Sequence, residues 1–480
     1  MRATNRSRHG FGMASVALLV ACNALTGAGD LTVSPCDGCE EIEGGIRVDG
    51  AVPEDGPGPT ADGATDAPAG DTAKEGPGGT LDPTFGTGGF VVMDPLVDPR
   101  AVAVRADGRI VVVGASSNEL AAAAFTPTGG LDLTFGSAGR VIRGQGNSSV
   151  GSAVAFDSQG RVVVGGTSIT VATYAVHFSY AVRIGASQVD TTWGNGGSFR
   201  GGTGGQDVRG IVVSTGDAVV LAVADKNDHA FIRLGANGLL DDTFGANGTA
   251  TVQNVGGEPT GLVARPDGFI SCGTGSSLVG AGQSLATAKV SLVGQPVNTF
   301  GTLAKATSKL GPNNNENGRS IAAQADGKLV VGGDYDPNVN LVQRATGVTR
   351  FTTSGQIDST YATAGKVAID LSEPLVGRET ETFDTNLLLD SSGRALVVGN
   401  VHDKLLAGGD RYRGWIMRLR SDGTPDPLFG TQGVLVVGIS LARLEVRGAA
   451  LQPDGKLVIV GVDNNSNKLF LARIITSTTQ

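Results

Sequence analysis

The sequence predicts an all-β fold, a seven-bladed β-propeller of four-stranded blades, preceded by a signal peptide and a disordered linker. Three observations lead there. A nine-residue phrase, first met as "LDPTFGTGG" at Leu81–Gly89, occurs seven times along the chain. Each interval between copies holds a hairpin signal flanked by apolar runs. No sustained helical periodicity follows Gly79.

Composition agrees with many short strands and tight turns. The chain has 75 glycines in 480 residues, against a usual share of ~7%. The phrase recurs as "LDLTFGSAG" at Leu131, "VDTTWGNGG" at Val189 and "LDDTFGANG" at Leu240. A degraded copy, "PVNTFG", begins at Pro296, and "IDSTYATAG" and "PDPLFGTQG" begin at Ile357 and Pro425. Self-similarity at a period of 50 to 68 residues marks a propeller or a solenoid.

Inside the intervals, "AVRADGRIVVVG", "AFDSQGRVVVGG", "ARPDGFISCG", "AQADGKLVVGG", "LDSSGRALVVG" and "LQPDGKLVIVG" each place a turn pair between two apolar runs. Asp-Gly at that position is the strongest short-range hairpin signal. The third copy, "VVSTGDAVVLAV", is irregular. A third run such as "FIRLG" precedes each phrase, and a fourth such as "FVVM" follows it. Seven units of four strands make a propeller. Its first and last blades meet, which removes free sheet edges. The propeller is expected over residues 80–480, with repeats starting near 81, 131, 189, 240, 296, 357 and 425.

The phrase reads as a joint running from the last strand of one blade to the first strand of the next. Its aspartates, Asp82, Asp132, Asp190, Asp241, Asp358 and Asp426, can cap the turn by accepting backbone N–H groups. Its aromatics, Phe85, Phe135, Trp193, Phe244, Phe300, Tyr361 and Phe429, can wedge between neighbouring blades. Arg233, Arg350 and Arg418 each lie eight residues before a phrase aspartate, and Arg183 lies seven before Asp190. Each can pair with its aspartate and brace the joint. Lys289 and Val297 hold these places in the degraded copy. A rival reading makes the Asp/Thr pairs a ring of ligand sites on one rim.

The phrase, with "QPDGKLVIVG" and "LARI", resembles the delta-sixty repeat, a bacterial family of β-propellers of unknown function. The resemblance covers about 400 residues. It implies a fold and an extracellular location, and no activity.

The N-terminus carries an address. Arg2, Arg6 and Arg8 precede an apolar run from Phe11 to Ala21, too short for a mature membrane span. Leu19-Val20-Ala21-Cys22 resembles the lipobox of bacterial lipoproteins, which implies cleavage after residue 21 and lipidation of Cys22. More than one acyl chain is needed for stable anchoring. Residues 22–79 read as an acidic, Gly/Pro-rich tether. Between Asn23 and Gly79 stand 12 acidic residues against Arg47 and Lys74, and such a stretch cannot bury enough surface to fold. As a flexible coil it would span roughly 40 Å. Cys36 and Cys39 within it are read as a small local disulfide, since neither a second ligand pair for zinc nor a folded redox context lies near.

The net charge of -9 argues against a nucleic-acid partner, which needs a basic surface. Strand parity places the Asp-Gly hairpins and the phrases on one face and all other loops on the opposite face. The first face is uniform. The second is diverse and polar, the usual place for binding. Two of its loops cluster oxygens: Asp334, Asp336, Asn338 and Asn340, and Asp463, Asn464, Asn465 and Asn467. Both lack the glycine and terminal glutamate of an EF-hand loop, so metal-free turns are the plainer reading beside calcium. No nucleophile elbow, P-loop or zinc-protease motif occurs. Asp228-His229 and His402-Asp403 are expected in surface loops, and Cys272 in a buried strand. The expectation is a lipid-anchored, extracytoplasmic binding or scaffold module for a protein or glycan, without a cofactor. The alternative is a lyase- or hydrolase-type enzyme using His402, Asp403 and Asp410 at the channel mouth.

Overall fold

The computed structural model describes residues 77–94, 97–144, 146–171, 175–201, 206–276, 282–312, 315–337, 344–369, 371, 379–404, 410–438 and 443–477. The signal peptide, Cys22 and the pair Cys36 and Cys39 lie outside the described residues, as does the tether up to residue 76. These residues build seven antiparallel sheets. Blade 1 contains Asp98–Val104, Ile110–Ser116, Glu119–Phe125 and Arg140–Arg143, in that order from one edge to the other. Blades 2 to 6 repeat the pattern within 148–201, 208–252, 259–308, 317–369 and 379–437. Blade 7 takes Leu444–Leu451, Leu457–Asp463 and Lys468–Ile475 from the end of the chain and Phe90–Met93 from its beginning.

The first strand of each blade touches the first strands of both neighbours, and blade 7 touches blade 1. Seven sheets therefore close a ring with their first strands innermost. The two middle strands of each blade are largely buried because other blades cover both faces. In blade 1 the stretch Ile110–Gly114 is buried throughout. Among the described residues, seven hydrophobic clusters form the core, and each spans two adjacent blades. Each holds one aromatic of the repeated phrase. Trp193 joins blades 2 and 3, Tyr361 joins blades 5 and 6, and Phe85 joins blades 7 and 1.

The phrase is not a link from one blade to the next. It connects the third strand to the outermost fourth strand of the same blade. The reason is its own tight turn. After the phrase glycines the chain doubles back and pairs antiparallel with the strand it has just left, as Arg140 does with Ala123. The crossing to the next blade is made by the polar loop on the opposite face. The blades are thus offset from the sequence repeats. The first copy of the phrase completes the last blade: Leu81 pairs with Ile474, and Phe90 with Ala472. The ring closes through a sheet shared by both ends of the propeller, and that sheet packs against blade 1.

Candidate functional site

Each face of the ring has its own chemistry. On the face of the repeated phrases, one oxygen of the aspartate holds the turn and the other faces cations. Asp82 Oδ1 accepts the Thr84 amide at 3.0 Å and its hydroxyl at 2.7 Å. Its Oδ2 lies 2.9 Å from Arg473 Nε and 3.0 Å from Lys456 Nζ. The same third-strand pairing joins Arg183 to Asp190 at 2.8 Å, Arg233 to Asp241 at 2.7 Å, Arg350 to Asp358 at 2.9 Å and Arg418 to Asp426 at 2.6 Å. The cation after the hairpin glycine converges on the same carboxylate, as Lys328 does on Asp358 at 3.0 Å. In five blades the two repeated phrases therefore meet at one carboxylate, buried in four of them.

The third-strand arginine also spans the blade boundary. Its guanidinium lies over the phrase aromatic, 4.4 Å from the Tyr361 ring for Arg350 and 4.8 Å from the Phe85 ring for Arg473, an arrangement favoured by the ring quadrupole. The guanidinium then donates to a carbonyl of the next blade: Arg183 to Ala236 at 3.0 Å, Arg350 to Ser421 at 2.6 Å, Arg473 to Pro127 at 2.6 Å, and Arg418 to Thr476. The receiving turn needs glycine. A Cβ on Gly238 would stand 2.4 Å from the Trp193 ring, and its φ is +78°. In degraded blade 4, Val297 cannot accept a charge, and Lys289 turns instead to Asp267 of the hairpin, 2.6 Å away. In blade 1 the arginine position is Ala124, and Arg109 of the hairpin serves Asp132 at 3.4 Å.

The opposite face opens on the hub. In every innermost strand the pairing register slips near its start. Six of these slips leave a single residue out of the ladder: Arg100, Ser152, Arg209, Thr260, Arg319 and Arg447. A bulge re-aims a side chain. Where that side chain is short it bridges blades: Thr260 donates to Gly318 O at 2.8 Å, and Ser152 donates to Val208 O. Where it is arginine it lines a cavity of about 670 Å³, together with Lys226 and Glu258. The sequence reading missed these arginines. Their signal was a charge eight residues before the hairpin glycine, as from Arg100 to Gly108, Arg319 to Gly327 and Arg447 to Gly455.

Carboxylates hold the guanidiniums in place. Arg100 meets Asp98 at 3.1 Å, and Arg319 meets Asp334 at 2.6 Å. Arg447 meets Glu445 at 2.9 Å, and Arg209 meets Asp207 at 3.2 Å and Glu258 at 3.3 Å.

Asp334 is buried near the end of the second strand of blade 5, not in an open loop, because the ladder with the innermost strand extends to it, Asn317 pairing with Asp334. Asp336 accepts from Asn315 at 2.9 Å. Asn338 and Asn340 lie outside the described residues. Asp463 closes its own hairpin by accepting the Asn465 amide at 3.0 Å, with Asn467 at positive φ, while Asn464 donates to Glu445 at 3.0 Å.

The histidines are not in surface loops. Two-residue turns such as Lys226-Asn227 let the strands run almost to the rim. His229 is fully buried within Asp228–Leu234, 2.9 Å from Ser271 Oγ, and burial lowers its pKa to about 4. His402 is buried in the second strand of blade 6 and stacked on Tyr412 at 4.4 Å. Asp403 lies on the second strand of that blade, paired with Thr380 of the innermost strand, and Asp410 on the third, paired with Lys404; their side chains are outside the described residues. Cys272 is buried, and burial pushes its thiol up to about 12.

A family model for a domain of unknown function β-propeller, DUF5122, matches residues 324–361, 403–429 and 452–474. The match supports a β-propeller family of unknown function. Its segments fall in blades 5, 6 and 7, across hairpins and phrases with intact ion pairs. No curated protein matches the chain. Among solved structures, a catalytically inactive virginiamycin B lyase from Staphylococcus aureus with quinupristin is 12% identical at a TM-score of 0.45, covering 80% of this chain and 98% of that one. A Lactobacillus plantarum protein is 13% identical at 0.39, covering 71% and 88%. A protein of unknown function from Dyadobacter fermentans is 9% identical at 0.37, covering 85% and 99%.

Arg418 and Asp426 are both fully buried, and removing one partner of a buried pair leaves an uncompensated charge. Arg418→Ala is expected to lower unfolding free energy by about 3–5 kcal/mol in chemical denaturation. An unchanged midpoint would remove the pair from the account of stability. Acid tests the closing node. Burial opposes ionisation of Asp82, but hydrogen bonds from Thr84 and Lys456 and the charge of Arg473 outweigh it and hold the carboxyl down from 3.8 to about 2. A depressed folded pKa contributes stability that is complete above 3.8 and is lost as pH falls through about 2. The stability gap between the native chain and Asp82→Asn should therefore close over that range in thermal melts. A gap constant with pH would contradict the linkage.

Proposed function

We propose that this chain is a lipid-anchored, extracytoplasmic binding module that engages a protein or glycan of the cell envelope through the face opposite the repeated phrases. One observation carries the reading. The phrase face spends its charges on ion pairs within the ring, whereas the other face opens a cavity of about 670 Å³ at the hub, lined by charged and amide side chains. Pockets of that size with convergent polar groups are the default binding sites of folded domains. Here the groups stand on innermost strands, so the scaffold holds them rigidly. The recognition proposed needs no metal or cofactor. Arg2, Arg6, Arg8, the apolar run to Ala21 and Cys22 support the anchor, and the acidic stretch to residue 79 supports a tether that holds the ring clear of the membrane.

Two experiments test the two halves. Full-length protein made in a bacterial host should enter the detergent phase on phase separation, and Cys22→Ser should leave it in the aqueous phase. Retention of the variant in detergent would refute the anchor. For recognition, crosslinking in envelope preparations should yield one adduct with the native chain. That adduct should disappear when the rim turns Lys226-Asn227 and Asn464–Asn467 are changed to Gly-Ser, and persist when the opposite hairpins at Asp326 and Asp454 are changed. Equal yields from both variants would overturn the choice of face.

A further inference from the structure

We infer that the hub cavity is an oxyanion site, one that binds a carboxylate- or phosphate-bearing ligand through four arginines set on the bulges of the innermost strands. The inference rests on the binding role proposed above and names the chemistry of its ligand.

The arginines come from blades 1, 3, 5 and 7, at Arg100, Arg209, Arg319 and Arg447. Their placement repeats because the bulge repeats. Each stands at the one residue that the inner strand leaves out of its ladder. With Lys226 they put five cations on the cavity lining, against one described carboxylate, Glu258. Four more carboxylates balance the charge without lining the cavity: Asp98, Asp207, Asp334 and Glu445. A carboxylate that grips one edge of a guanidinium fixes its plane and leaves its other N–H groups to face a ligand. A guanidinium has five donors in a planar fork, and that fork matches carboxylate and phosphate oxygens in pairs.

The bulge residues of the other blades sharpen the contrast. Ser152 and Thr260 turn their hydroxyls onto backbone carbonyls of the next blade. The same position thus bridges blades through a hydroxyl in blades 2 and 4 and puts a guanidinium on the cavity lining in blades 1, 3, 5 and 7.

The test uses the full-length chain in detergent and three probes: tri-galacturonate, the neutral galactose trisaccharide of the same linkage, and inorganic phosphate. Titration calorimetry at low and at physiological salt reads the affinity. Tri-galacturonate or phosphate is expected to bind, at least tenfold more tightly than the neutral sugar, and to weaken as salt rises. Binding of tri-galacturonate alone assigns a carboxylate source, and binding of phosphate alone assigns a phosphate source. The double variant Arg100→Gln/Arg209→Gln should weaken binding at least tenfold. These two side chains are 46% and 42% exposed, so the variant folds, which its melting temperature checks. Arg319→Gln is a second, independent probe. Equal affinity for acid and neutral trisaccharides would overturn the oxyanion assignment while leaving a glycan-binding module intact. No binding of either anion, or anion binding that ignores both variants, would overturn the site itself. The crosslinking experiment on the rim turns would still decide the binding role independently.

Discussion

A buried carboxylate is the point on which the ring depends. The aspartate of the repeated phrase ties its own turn with one oxygen. With the other it gathers an arginine from the third strand and, in five blades, a lysine or arginine from the inner hairpin. Charge buried in this way is costly unless it is paired and hydrogen-bonded. The arginine's further bond to the next blade couples local charge neutralisation to blade order. Over the same guanidinium sits the aromatic that fills the interface. Polar bracing and hydrophobic packing therefore act at one place in each joint, and a single sequence phrase encodes both.

Closure follows from the offset between repeats and blades. Among the described residues, no third strand precedes the first phrase. Arg473 and the strand Lys468–Ile475, at the other end of the chain, complete it. The last blade can form only when both ends are present. The two imperfect blades show how the device tolerates loss. Blade 4 has no phrase aspartate and moves its lysine to the hairpin aspartate. Blade 1 has no third-strand arginine and relies on the hairpin arginine alone. In both, the phrase aromatic stays buried, so packing outlasts the ion pair.

The opposite face is released from these duties. Its loops only have to carry the chain from the outermost strand of one blade to the innermost strand of the next, and they differ in length and sequence. What repeats there is the bulge. It interrupts the ladder at one level of the hub and presents whatever side chain evolution places at that step. A uniform scaffold on one side and a free choice of side chain on the other is a physical basis for placing recognition at the hub mouth.

The sequence alone determined the strands, their number and the two faces. Alternation of apolar runs with Asp-Gly turns and the spacing of seven aromatics are local properties, and a hairpin needs little more than its own residues. The Arg–Asp spacing within a phrase was legible for the same reason, since eight residues separate partners on one hairpin. Tertiary structure decided what depends on residues far apart. Arg473 and Asp82 are at opposite ends of the chain, so no spacing announces their pair. His229 and His402 looked exposed because polar neighbours flank them, yet neighbouring strands cover both. Arg100, Arg209, Arg319 and Arg447 read as solvated interruptions of apolar strands. The ring turned them inward, because a residue left out of its ladder on an innermost strand stands at the hub.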